Sequence, residues 1–152
     1  MKKIILGRTN QEVSIISLGA WSHGKQNTNG GSNVGWANQT DQDSKNALLK
    51  SFSLGLNHWD TADVYGEGHS EKIIGSMWDE IPRKEIFLAT KVGWDKGPNK
   101  NWYDPDYMSS KMHQSLKNLK TDCIDLLYLH HCNFGKNDEH LDEAIEQISR
   151  FK

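Results

Sequence analysis

Four residues in this chain carry side chains that could share one reaction: Asp60, Tyr65, Lys91 and His130. The first two sit in the stretch HWDTADVYGEGHSEK, residues 58–72, which follows a strand-like run. Lys91 lies near the end of EIFLATKV, and His130 ends CIDLLYLH. A tyrosine hydroxyl can hand a proton to an oxygen that is gaining charge, as when a carbonyl accepts hydride and becomes an alkoxide. A phenol with its ordinary pKa of about 10 is a reluctant acid or base at neutral pH. A neighbouring ammonium favours the phenolate, and Lys91 is the candidate to supply it. Asp60 could hold that lysine in place, as a third group orients the base in a triad. His130 could hydrogen-bond the carbonyl oxygen and aim it at Tyr65. No side chain provides hydride, so this chemistry requires a nicotinamide. Taken singly, each residue has an ordinary reading: a turn-forming aspartate, a rim tyrosine, a solvated lysine, a hydrogen-bonded core histidine. Their order and common location make the signal.

The elements that must position them alternate between strand and helix. KKIIL and VSIIS read as short strands around the turn-like GRTNQE, the second continuing into LGAW as VSIISLG. Residues Ser22–Gln39 form a polar stretch with two glycines in succession, long for a passive loop. Thr40 with Asp43 has capping-box spacing, Leu48, Leu49 and Phe52 make a helical stripe, and Gly55 is a natural stop. LNHWDTA is strand-like, and Ser70 opens a second helix with Ile73, Ile74, Met77 and Trp78 on one face. EIFLATKV is the next strand. Asp104–Pro105–Asp106 starts a third helix with Met108, Met112, Leu116 and Leu119 beneath it. CIDLLYLH is near-continuously apolar, the pattern of a strand covered on both faces. Leu141, Ala144, Ile145, Ile148 and Phe151 mark a fourth helix. After the opening hairpin the order is β-α-β-α-β-α-β-α, which predicts a parallel sheet wrapped by helices. Ligands bind at the carboxyl ends of such strands, and all four candidates fall there. Trp59, beside Asp60, should face the helix layer.

Several ordered segments resemble the aldo-keto reductase family: IILGRTNQEVSIISLGAW, GLNHWDTADVYGEGHSEKIIG, FLATKVG and IDLLYLHH. The resemblance implies one domain, 1–152, forming a parallel (β/α)4 half of a TIM-type (β/α)8 barrel. A hairpin over 1–17 would plug the barrel bottom, with four βα units over 15–152. It implies a catalytic tetrad of Asp60, Tyr65, Lys91 and His130. It also implies NADP(H) contacts at Gly19, Ala20, Trp21 and Asp60, and a substrate pocket at Trp21, Trp94 and His131, with Trp36 a further aromatic. The activity implied is NADPH-dependent reduction of aldehyde or ketone carbonyls. A whole barrel takes eight strands and about 250 residues, so the match covers its first half. In the family the second half holds most of the cofactor's adenosine and phosphates, so this chain alone is expected to lack the phosphate site. The alternative is an inactive half barrel that keeps the tetrad by descent and works by association. An opened barrel leaves two strand edges and an apolar interior to be covered. A second copy, exchanged elements or a C-terminal half barrel in trans would do so; otherwise the chain relaxes into an open sheet.

Composition narrows the remaining classes. The chain has 152 residues, the size of one compact domain, and a net charge of −2 from 18 basic and 20 acidic residues. No block of one sign suggests a nucleic-acid or membrane-surface partner. MKKIILGRT holds only a short apolar run, below a secretory h-region, and nothing approaches the ~20 residues of a membrane span. Cys123 and Cys132 without a leader fit a reduced, cytoplasmic setting. His130, His131 and Cys132 are zinc-ligand types, but neighbours on a strand point to opposite faces, so no metal site is expected. Asp63 reads as a loop acid, and Glu67, Gly68 and His69 as loop and cap residues.

Overall fold

Thr40 sets the start of the first helix. It accepts a hydrogen bond from the Asp43 N–H at 3.1 Å, while the Asp43 carboxylate accepts the Thr40 N–H at 3.1 Å. This reciprocal capping box opens α1, Asp41–Ser53, and Gly55 at φ 81° turns the chain after it. The computed structural model describes residues 1–29 and 32–151, and only the backbone of 27–29 and 32–34. Three more helices follow: α2 (His69–Gly75), α3 (Pro105–Leu119) and α4 (Leu141–Arg150). Asp104 caps α3 by accepting from the Tyr107 N–H at 2.9 Å, with proline in the first turn where no amide donor is needed.

The strands are β1 (Lys3–Ile5), β2 (Glu12–Ser14), β3 (Leu18–Gly19), β4 (Asn27–Asn29), β5 (Ser32–Val34), β6 (His58–Asp60), β7 (Phe87–Val92) and β8 (Leu126–Leu129). The central sheet is parallel, in the order β3-β6-β7-β8, and β1-β2 and β4-β5 are antiparallel ribbons. Asp60 pairs with Gly19 on one side and Ala89 on the other, and Lys91 with Tyr128. The carboxyl ends of β6, β7 and β8 therefore meet at one pole. Asn57 ties the opening ribbon to the opposite pole: its amide oxygen accepts the Ser14 N–H at 2.7 Å and its amide nitrogen donates to the Glu12 carbonyl at 3.0 Å.

The core lies between sheet and helices. Trp59, Leu88, Ile73, Ile74, Leu48 and Leu119 are buried together, and Trp78 stacks on Trp59 at 6.2 Å. Trp59 faces this layer, as the alternation across β6 requires. A second cluster joins Val92, Tyr103, Met108 and Ala144.

Four expectations shift. VSIISLG is two strands in two sheets, not one. The Ser14 hydroxyl donates to the Ile16 carbonyl at 2.7 Å, and the bend leaves Ile15 and Ile16 exposed between β2 and β3. The second helix begins at His69 after left-handed Gly68 and ends at Gly75, so Met77 and Trp78 pack from the following turn. The Ser70 hydroxyl is occupied instead by the Ala20 carbonyl at 2.7 Å and Thr61 at 2.9 Å. Residues 22–39 include a helical turn and the β4-β5 ribbon; Gly30 and Gly31 of that stretch lie outside the described residues. Finally, β8 is not covered on both faces. Each of its residues keeps some exposure, Tyr128 most, because β7 is its sole strand neighbour among the described residues. On α4, Ile145 is exposed while Ala144 is buried.

Candidate functional site

Asp60 is the last residue of β6, and Lys91 the last but one of β7, so their side chains leave adjacent strands at the same rim. The Lys91 ammonium has three partners: it donates to Asp60 Oδ1 at 2.5 Å, the Thr61 carbonyl at 2.7 Å and the Tyr65 hydroxyl oxygen at 3.3 Å. All three of its N–H bonds are thus used, and the charge is fixed beside the phenol. It also lies 4.9 Å from the centre of the Tyr65 ring.

Tyr65 sits in a tight turn after β6. Its position depends on the glycine that follows it. Gly66 has φ 61°, and a Cβ there would run into the Gly24 carbonyl. Only glycine lets these two backbones meet. The Ser70 N–H donates to the Tyr65 carbonyl at 3.2 Å, fixing the turn to the start of α2.

His130 lies one residue past β8, held by its N–H to the Val92 carbonyl at 2.9 Å. Its ring meets Tyr65 edge to face at 5.7 Å and Trp94 at 5.2 Å. Burial first, then the positive charge of Lys91, pushes its pKa down to about 4, against the pull of Asp60. The ring is therefore neutral at physiological pH, with one N–H to give.

Tyr65 and His130 border a cavity of about 920 Å³, within the range of small-molecule sites. Trp21, Tyr65, Trp94, Trp102 and His130 form its aromatic side, and Asp63, Glu71, Asp95, Lys111, Gln114 and Asn118 its polar side. Trp36 packs edge to face on Trp21 at 6.3 Å.

The structure thus brings together Asp60, Tyr65, Lys91, His130, Trp21 and Trp94. Asp60 and Lys91 do not line the cavity itself, and neither do Gly19, Ala20 and His131. Ala20 is wholly buried, its N–H given to the Asp60 carbonyl at 2.8 Å and its own carbonyl taken by Ser70. His131 packs on Trp94 at 5.5 Å, Trp102 at 4.6 Å and Tyr103 at 5.4 Å. Both histidines lie beyond the end of β8, so strand alternation does not govern them. Gly19 is exposed at the end of β3, with no atom within 4 Å of where a Cβ would stand.

Sequence reasoning missed the polar wall. Asp63 is buried, and burial, opposed by Lys111, pushes its carboxyl up to about 7. Glu71, also raised by burial, accepts from Thr90 at 2.9 Å and Asn118 at 3.0 Å. The available signal was Lys111, which stands between Met108 and Met112 on the helix stripe and so comes off the edge of a buried face.

The Aldo/keto reductase family profile matches residues 16–152. The chain belongs to this family. The uncharacterised oxidoreductase YqkF of Bacillus subtilis is 34% identical over 157 residues, spanning 100% of this chain and 45% of that protein. The NADP(+) aldo-keto reductase yakc of Schizosaccharomyces pombe is 43% identical over 88 residues, 55% of this chain and 26% of the relative. The solved structure of aldo-keto reductase AKR11C1 from Bacillus halodurans, a holo form, superposes with a TM-score of 0.77 at 32% identity. That superposition covers 100% of this chain and 46% of the other. The chain therefore spans about half the length of the aldo-keto reductases it matches, and its parallel sheet with a leading hairpin corresponds to the N-terminal half of their TIM-type barrel.

Proposed function

We propose that this site serves the NADP(H)-dependent reduction of aldehyde or ketone carbonyls, with Tyr65 as proton donor. The observation that carries the reading is the Lys91 ammonium, tied to Asp60 and set 3.3 Å from the Tyr65 hydroxyl oxygen. A nicotinamide, when bound, supplies the hydride. Gly19, exposed with open space above it, and Trp21 are the residues of this chain that would flank such a ring. Tyr65 gives its proton to the carbonyl oxygen as negative charge develops there, and Lys91 stabilises the phenolate left behind. Asp60 keeps Lys91 from swinging into solvent. Neutral His130 donates a hydrogen bond to the same oxygen and orients it. Trp21, Trp94 and Trp102 offer an apolar wall for the substrate body. Support for NADP(H) comes from the family and from the relative named for NADP(+).

A second reading is a half barrel that does not turn over alone. What favours it is the charge around the cavity: Lys111 is paired with Asp95 at 2.9 Å, and Lys96 lies over Trp102 at 5.6 Å, so neither is poised for a phosphate. Fluorescence titration with NADPH, followed by an aldehyde panel, separates the two. Saturable binding with turnover that falls by about 10²–10⁴-fold in Tyr65→Phe supports the reductase. Absence of binding at millimolar cofactor leaves the second.

A further inference from the structure

Lys111 belongs to neither the tetrad nor the aromatic wall, yet its ammonium meets both loops that carry them. It projects from α3 to within 2.9 Å of Asp95 Oδ2 and 3.8 Å of Asp63 Oδ2. Asp63 lies two residues before Tyr65, in the loop after β6. Asp95 is next to Trp94, in the loop after β7. Each loop has grips of its own. The Asp63 N–H donates to the Lys91 carbonyl at 3.3 Å, and Asp95 accepts from the Gly97 N–H and the Tyr107 hydroxyl, both at 2.8 Å. Among the described residues Lys111 is the side chain that forms ion pairs with both loops.

The Asp63 side chain is 4% exposed, and neither carboxylate oxygen has a hydrogen-bond partner among the described residues. A buried carboxylate without hydrogen bonds is tolerated beside an opposite charge and costly without one. Lys111 provides that charge, and its half-buried stem limits where the ammonium can go. Remove the cation, and Asp63 either takes up a proton or faces Asp95 as a like charge, with Glu71 close by. In both states the ionic tie between the loops is gone at the mouth where Tyr65 and Trp94 must converge.

We propose that Lys111 is a positioning residue, an ionic strut that joins the Tyr65 loop to the Trp94 loop through Asp63 and Asp95. Its effect on turnover rests on the reductase reading, but the strut itself does not. Hydrogen exchange at about pH 8, where Asp63 is mostly ionised, tests it directly. In Lys111→Met, protection of residues 62–67 and 93–97 should fall together by about tenfold, with α1 unchanged. Lys111→Arg, which keeps the charge, should restore both. Asp95→Asn should loosen 62–67 as well as its own loop, and this variant decides the matter should the methionine chain fail to fold. Loosening of one loop alone, of neither, or to the same degree in the arginine chain would overturn the proposal. A strut confirmed by exchange in a chain that never binds NADPH would count against the reductase reading and leave the strut standing.

Discussion

Burial drives two residues of one rim toward their neutral forms, and so moves their pKa values in opposite directions. His130 is driven neutral, which suits a hydrogen-bond donor to a carbonyl oxygen. Asp63 is driven toward its acid form, with Lys111 pulling it back and Glu71 and Asp95 adding to the rise. The two have opposite effects on stability. Because the folded pKa of Asp63 lies above its unfolded value, its contribution is full below about pH 4 and is lost as pH rises through about 7. That loss amounts to up to about 4 kcal/mol for a shift of some three units. For His130 the folded value is depressed, so its contribution is present above about pH 6.5 and is lost as pH falls through about 4. Asp63→Asn keeps the shape and removes the charge. We expect it to be more stable than the parent at about pH 8 and to lose the decline between about pH 4 and 7, as read by urea denaturation across that range. A less stable asparagine chain at about pH 8 would mean that the Lys111 pair outweighs the desolvation of the carboxylate. A stabilised one would mean the chain carries a cost at Asp63 for joining two loops, the usual bargain near a functional site.

At the scale of elements, what was legible in the sequence was local. The Thr40–Asp43 box, the Asp104–Pro105 start and the alternation of β6, α2, β7, α3, β8 and α4 all follow from residues within a turn or two of one another. The meeting of Asp60, Tyr65, Lys91 and His130 was legible because strand ends in a parallel sheet fall at one pole, whatever the distant contacts. What failed depended on partners far along the chain. Asn57 fastens Ser14 and so divides VSIISLG; Ala20 takes the hydroxyl of Ser70, the residue expected to open the second helix; and Asp63 is buried against Lys111 of α3, some fifty residues later. Two changes test the local elements. Thr40→Ala removes the side chain that caps α1 and should cost about 1 kcal/mol in urea unfolding, with the fold kept. Gly66→Ala puts a methyl where the Gly24 carbonyl stands and asks alanine for a left-handed φ. It should cost about 1–3 kcal/mol and displace Tyr65, visible as altered Trp21 fluorescence, since those rings lie 6.4 Å apart. A Gly66→Ala chain of parental stability would show that the turn relaxes freely and that glycine there does not place the tyrosine.

The whole molecule raises the question of what lies against its sheet. Among the described residues β3 and β8 end the parallel sheet, each with one strand neighbour in it, and Leu126, Leu127 and Leu129 are only partly buried. An edge strand with free backbone groups and apolar side chains is a template for another chain. The exposure of Tyr128 at 40% puts an aromatic on that same edge. We expect the chain to self-associate through β8, with a two-fold interface that brings like edges together. Sedimentation across a micromolar range should show the mean mass rising toward that of a dimer. Tyr128→Lys should weaken association by at least about tenfold, because a charged edge residue opposes pairing while leaving β7-β8 intact. The monomer's own fold serves as the control: far-ultraviolet circular dichroism of Tyr128→Lys must match the parent. If the parent stays monomeric throughout, β8 is stable as an open edge and the half barrel rests on its own two clusters. If it pairs and the lysine variant does not, NADPH titration of the two chains side by side shows whether the cofactor site needs the second copy or is complete at one tetrad.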